Sequence, residues 1–199
     1  MNKSDLIMFY FFTDSLTEIQ KKNILKFKNL AVIYAPQNKV YNSSNFDEIK
    51  KFCKKRRIKV FIEDNIKLAK RLDLDGVLIS GHNKIMNSLN VDNMKKNFKI
   101  LGKVHNQLEF YFKNRQNCSG IFFSPLFKNQ KYRDSQIKEV LKFNLTSKNW
   151  KPAVYALGGI NLNNLKKVKM TKVKAVGFVS LMSEPKVKKP VSFFKTYGL

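Results

Sequence analysis

Residues 151–181 read KPAVYALGGINLNNLKKVKMTKVKAVGFVSL. Gly158 and Gly159 stand where an apolar run gives way to a polar stretch, and some twenty residues later a second apolar run ends at Val179 and Ser180. Paired glycines let an anion approach backbone N–H groups without interference from a side chain. Val179 and Ser180 offer two further N–H groups and a hydroxyl. Phosphate binding is the chemistry this pattern suits; a simple tight turn is the alternative reading. The two cysteines, Cys53 and Cys118, fit no metal or redox spacing and suit a reducing, cytoplasmic setting.

The elements that must position these residues are legible as short apolar runs. They are Leu6–Phe12, Leu30–Tyr34, Lys59–Ile62, Gly76–Ile79, Lys99–Leu101, Gly120–Phe123, Ala153–Leu157 and Ala175–Val179. Most show little polar alternation, as strands buried on both faces do. Polar segments of helical character separate them. SLTEIQKKNILKFK has Ser15 and Glu18 at capping-box spacing. NFDEIKKFCKKR sets Phe46, Ile49, Phe52 and Cys53 on one face, and DNIKLAKRLDL turns Ile66, Leu68, Ala69 and Leu72 inward. A helix between about Ser88 and Lys96 and a strand at 99–101 carry the weakest signals. A closing helix in EPKVKKPVSFFKTY is made ragged by Pro185 and Pro190.

Eight strands alternating with helices in 199 residues point to one domain spanning 1–199 with the (β/α)8 TIM-barrel fold. In such barrels the loops after strands seven and eight commonly hold a phosphate. An open doubly wound sheet is the alternative, but it would normally use fewer strands. The longest apolar run is far shorter than the ~20 residues a membrane helix needs, and no cleavage-site pattern marks a signal peptide.

The net charge of +25 raises nucleic acid as a partner. Only five of the 39 basic residues are arginine, however, and the lysines are spread over nearly every helical stretch. Nucleic-acid surfaces lean on the bidentate arginine fork. The charge therefore reads mainly as compositional bias.

In chain order, FYFFTDS, DLDGVLIS, GKVHN, SGIFFSPLF and VYALGGIN together resemble the thiamine phosphate synthase/TenI family of barrels. The family's Tyr-x-x-Thr-Asp falls on Tyr10 to Asp14, its Ala-Asp-Gly-Val on Leu74 to Val77, and its Gly-Pro-Val-Phe on Ser124 to Phe127. The resemblance runs from residue 9 to 182. It implies an enzyme that joins hydroxymethylpyrimidine diphosphate to thiazole phosphate and releases pyrophosphate, with Mg²⁺ as cofactor. Association into a homo-oligomer stays open.

Carried over by position, the resemblance assigns Asp64 and Asn83 to the metal, with Glu63 beside them. Asn83 stands where the family has a second aspartate, so one negative charge is missing, and Glu63 could restore it. Ala35 and Gln37 replace an Arg-x-Lys diphosphate clamp, leaving Lys39 as a substitute. After strand six, Lys128, Lys131 and Arg133 are the cationic candidates, Lys131 with a catalytic role. Lys103 replaces a pyrophosphate-binding serine. His105 matches a histidine that serves as acid/base in the thiazole tautomerase branch, which needs no metal; an imidazole suits proton transfer near neutral pH. His105 as a helix cap is the alternative, and His82 reads as a solvent-exposed loop residue. A synthase, a tautomerase and a degenerate, non-catalytic barrel that binds a phosphorylated ligand all fit these residues.

Overall fold

The structure, a computed structural model, describes residues 8–36, 38, 40–85, 96–128, 134 and 137–184. Eight parallel strands close into a barrel in chain order: β1 (Met8–Thr13), β2 (Leu30–Tyr34), β3 (Lys59–Glu63), β4 (Gly76–Ile79), β5 (Lys99–Val104), β6 (Gly120–Phe123), β7 (Ala153–Ala156) and β8 (Ala175–Phe178). The ring closes where β8 pairs with β1, Ala175 opposite Met8 and Phe178 opposite Phe11. Around it lie α1 (Glu18–Ile24), α2 (Ser43–Lys55), α3 (Ile66–Arg71), α4 (Gln107–Arg115), α5 (Glu139–Ser147) and α6 (Leu165–Val168), with a 3₁₀ turn at Leu181–Ser183. The helix expected between Ser88 and Lys96, apart from Lys96 itself, and the one expected in EPKVKKPVSFFKTY, apart from Glu184, lie outside the described residues.

The strands bury both faces, which is why they read as unbroken apolar runs. One set packs outward against the helices, including Phe9, Val32, Ile62, Val77 and Val176. The other fills the barrel: Tyr10, Phe12, Phe61, Phe122 and Tyr155, with Ala31, Ile33, Leu78, Leu101, Leu157 and Ala175. Aromatic rings thus do much of the work usually left to branched aliphatics. Tyr10 meets Phe122 edge-on at 5.2 Å and stacks on Tyr155 at 5.6 Å. Room for the rings comes from inward-facing glycines. A Cβ on Gly76 would collide with Phe61, one on Gly120 with the Tyr155 ring, and one on Gly177 would lie 2.9 Å from both Phe12 and Phe122.

The Asp-Gly-Val motif belongs to this frame and not to the site. The Asp75 carboxylate accepts the Val60 N–H at 2.8 Å at the start of β3, and Gly76 makes way for Phe61. Helix starts follow side-chain capping: Asn42, Asn65 and Asn106 each accept an N–H of the first turn. At α1 the capping box is Thr17 with Gln20, not Ser15 with Glu18. Both pairs have the same spacing, and the chain takes the later one because the helix starts at Glu18. On α2, Phe46, Ile49 and Cys53 are buried as expected, with Phe52 half-buried.

Candidate active site

The carboxyl ends of the strands gather the residues singled out above at one mouth of the barrel. Inward-facing parity runs to the strand ends and just beyond: from Phe61 to Glu63 and Leu101 to Lys103 within β3 and β5, and from Leu78 to Ser80 and Ala175 through Gly177 to Val179 past β4 and β8. Glu63 and Lys103 are half-buried there, and Val179 is exposed.

The β7 loop follows Ala156 and carries Gly158 and Gly159. Its carbonyls are consumed: Leu157 O accepts from Leu126 N–H at 2.9 Å, Gly158 O from Phe127 N–H at 3.0 Å, and Gly159 O from Asn164 Nδ2 at 2.7 Å. Both glycines have left-handed backbone, φ 91° and 70°, which a side chain would strain. A Cβ on Gly158 would lie 2.8 Å from Ser124 Oγ, and one on Gly159 would collide with the Phe127 carbonyl. Among the described residues no group accepts from the N–H of Gly158 or Gly159. Ser180 begins the 3₁₀ turn after β8, its carbonyl accepting from Ser183 N–H at 2.9 Å. Neighbouring strands therefore present two amide-bearing loops at the same end.

Asp64 follows β3 directly, with left-handed backbone, φ 52°. Its Oδ1 accepts from Ser80 N–H at 3.0 Å and from Asn83 Nδ2 at 2.9 Å. The structure thus brings Asp64 and Asn83 together, but with the asparagine donating. A resident dication needs oxygen ligands, mostly carboxylate for Mg²⁺. Here one of the two side chains turns N–H toward the other, so the pair as it stands does not fit a resident dication. Among the described residues no cluster of three or more His, Cys, Asp and Glu is placed to hold a metal.

His105 follows β5, and its Nδ1 lies 3.0 Å from Glu109 Oε2, which also accepts the His105 backbone N–H at 2.8 Å. An anionic carboxylate at Nδ1 fixes the proton there and turns Nε2 to the opposite side. Burial alone would raise the Glu109 carboxyl, but the hydrogen bonds and charge of His105, with Lys113 assisting, outweigh it and hold the group below its usual value. The carboxylate also packs on the backbone of Gly81, where a Cβ would strike it. His82 is exposed as expected, its Nε2 3.2 Å from Ser80 Oγ.

Two buried lysines were not legible in a chain so rich in lysine. Lys113, fully buried on α4, donates to Asn83 O and to Gln116 Oε1 (2.8 Å), while Gln116 Nε2 reaches Asn83 O and Ile85 O. It clamps the β4 loop, and burial depresses its basicity. Lys138 donates to Ser124 O at 2.7 Å and lies over the Phe123 ring, supporting the β6 loop. Lys113 sits one helical turn after Phe110, a half-buried phenylalanine packed on the core, and that inward phase was the available signal. The candidates Lys39 and Lys131 lie outside the described residues, as do Gln37 and Arg133. Lys128 is exposed and paired with Asp134 at 3.0 Å.

A closed (β/α)8 barrel with a paired-glycine loop after β7, a 3₁₀ turn after β8 and polar side chains around one mouth is the architecture of a barrel enzyme. Residues 37–182 match the family described as thiamine monophosphate synthase. The chain belongs to this family. It is 31% identical over 152 residues to the thiamine-phosphate synthase of Pelagibacter ubique, covering 72% of this chain and 69% of that protein. It is 27% identical over 149 residues to that of Flavobacterium psychrophilum, covering 69% of each. Among solved structures, thiamine phosphate pyrophosphorylase from Pyrococcus furiosus superposes with a TM-score of 0.71 at 17% identity, covering 96% of this chain and 95% of that one. The Bacteroides thetaiotaomicron enzyme of the same name gives 0.55 at 16% identity, covering 88% and 83%. No described helix is long and apolar enough to cross a membrane.

Proposed function

We propose that this chain joins hydroxymethylpyrimidine diphosphate and thiazole phosphate to give thiamine phosphate and pyrophosphate. The bond from the pyrimidine methylene carbon to the diphosphate oxygen breaks, its electron pair leaves with pyrophosphate, and the thiazole nitrogen forms a new bond to that carbon. The single observation that carries the reading is the β7 loop, where the carbonyls of Leu157, Gly158 and Gly159 are engaged and the two glycine amides have no acceptor among the described residues. The amides of Gly158 and Gly159, with Val179 and Ser180 on the next loop, suit the thiazole phosphate. Lys103 faces the same mouth and suits the diphosphate, with Lys39, Lys128 and Lys131 as further cationic groups. Asp64 would be the protein carboxylate toward any Mg²⁺ that accompanies the diphosphate, and the ion would supply positive charge to the leaving group. The tightly packed aromatic interior below the mouth excludes water from the side where the pyrimidine cation forms.

A second reading, a thiazole tautomerase, is favoured by the His105–Glu109 pair. A histidine fixed through Nδ1 presents Nε2 as an acid/base for moving one proton on a thiazole carboxylate phosphate. The test is a coupling assay on purified protein with both substrates and Mg²⁺, detecting thiamine phosphate by chromatography. Metal-dependent product is expected, and His105→Ala should lower it less than tenfold. Absence of product beside a working synthase, with tautomerisation that falls by about 10²–10⁴-fold in His105→Ala, would replace the first reading by the second.

A further inference from the structure

The Asp64–Asn83 pair carries a consequence for how a dication could enter this site. The Asn83 amide has one workable orientation. Its oxygen accepts the Ile85 N–H at 3.1 Å while its nitrogen donates to Asp64 at 2.9 Å. Exchanging the two would set donor against donor at Ile85 and acceptor against acceptor at Asp64. Behind the pair, the Asn83 carbonyl accepts from the buried ammonium of Lys113 and from Gln116 Nε2. The position opposite Asp64 therefore holds an N–H aimed at the carboxylate, on a residue whose backbone carbonyl is tied to Lys113 and Gln116. Hard dications follow ligand charge; the Asp64–Asn83 pair itself supplies one negative charge where two carboxylates would supply two, and Glu63, half-buried at the same mouth, completes no group of three His, Cys, Asp or Glu ligands among the described residues.

We propose that this chain holds no divalent cation of its own at Asp64 and Asn83, and takes one up only together with a diphosphate whose oxygens supply the missing charge. This rests on the synthase reading for the identity of the diphosphate.

The test uses Mn²⁺ as the probe, with free aqueous Mn²⁺ read by electron paramagnetic resonance against the full-length protein, alone and with inorganic pyrophosphate. Wild-type protein alone should leave the free Mn²⁺ signal nearly unchanged. With pyrophosphate, the signal should fall further than pyrophosphate alone causes. Asn83→Asp should bind Mn²⁺ without pyrophosphate, at least about tenfold more tightly than wild type. Asn83→Ala, which removes the facing N–H but adds no charge, should stay much closer to wild type than to Asn83→Asp. Circular dichroism confirms that each variant is folded, and the wild-type measurement stands without them. Wild-type protein that binds Mn²⁺ alone as tightly as Asn83→Asp overturns the proposal, as does wild-type protein indifferent to pyrophosphate. The coupling assay fails separately: pyrophosphate-dependent Mn²⁺ uptake without coupling keeps this inference and removes the reaction, whereas coupling by a protein that holds Mn²⁺ tightly on its own does the reverse.

Discussion

Lys138→Met should change how the stability of this protein depends on pH. Lys138 is 7% exposed, and burial, helped by the nearby Lys142 and opposed by Glu109, pulls its ammonium from 10.5 down to about 8. Such a depression corresponds to roughly 3 kcal/mol of stability given up to keep the charged form inside the fold. Below pH 8 the group is protonated in both the folded and unfolded chains, and the full penalty is present. Between about 8 and 10.5 the unfolded chain binds more protons than the folded one, so Lys138 makes stability rise with pH until the penalty is gone. Methionine keeps an unbranched apolar side chain and removes the charge, and with it the ammonium's contact with the Phe123 ring. It also loses the bond to Ser124 O, a loss that offsets the whole curve without changing its slope. Urea unfolding of both proteins on either side of the window measures this directly. The advantage of the variant over wild type should shrink by roughly 3 kcal/mol from the low end to the high end. Parallel profiles would refute the assignment of a buried, charged lysine at this position.

The thiols carry the opposite sign. Burial pushes Cys53 and Cys118 up to about 12, so the folded chain keeps protons that unfolded cysteines lose near pH 9. Their contribution to stability should fall above that pH, and neither thiol should react with iodoacetamide at pH 8 until the protein is unfolded; modification at the rate of a free thiol would contradict their burial. Gly158→Val and Gly159→Ala should each cost about 1–2 kcal/mol from left-handed backbone alone, and the collision of a Gly159 Cβ with the Phe127 carbonyl adds to this. Both variants should weaken thiazole phosphate binding by tenfold or more in calorimetry. Unchanged affinity in a folded variant would remove the β7 loop from the phosphate site.

The barrel was legible because its strands are buried on both sides. Leu30–Tyr34, Gly76–Ile79 and Gly120–Phe123 carry no polar residue to blur their ends, and their limits match the apolar runs. Strand β5 runs to Val104, past the expected Leu101, because its inward position at the mouth is Lys103: the backbone ladder continues where the apolar signal stops. The glycines of the β7 loop were legible from their type alone, and both take the left-handed backbone that glycine permits. Glu109 was not, since its role depends on a four-residue reach back to His105 that any helix could offer. Lys113 and Lys138 were hidden among 39 basic residues. Asn83 stood out as a departure, yet the direction of its hydrogen bond is settled by Ile85 N–H, which only folding brings to it.

The interlocking of rings and glycines inside the barrel also constrains how this chain can drift. Phe61 is matched to Gly76, Tyr155 to Gly120, and Phe12 and Phe122 to Gly177. A methyl group gained at any of these glycines leaves no room for the facing ring, and a ring lost opens a void that the glycine cannot fill. Neither partner can change first without cost. Among relatives, these positions should therefore move as pairs, a larger residue replacing glycine only where the opposing aromatic has become smaller. The centre of the barrel would then keep an inherited record of which strands lie side by side, written in covarying sizes rather than in any one preserved residue.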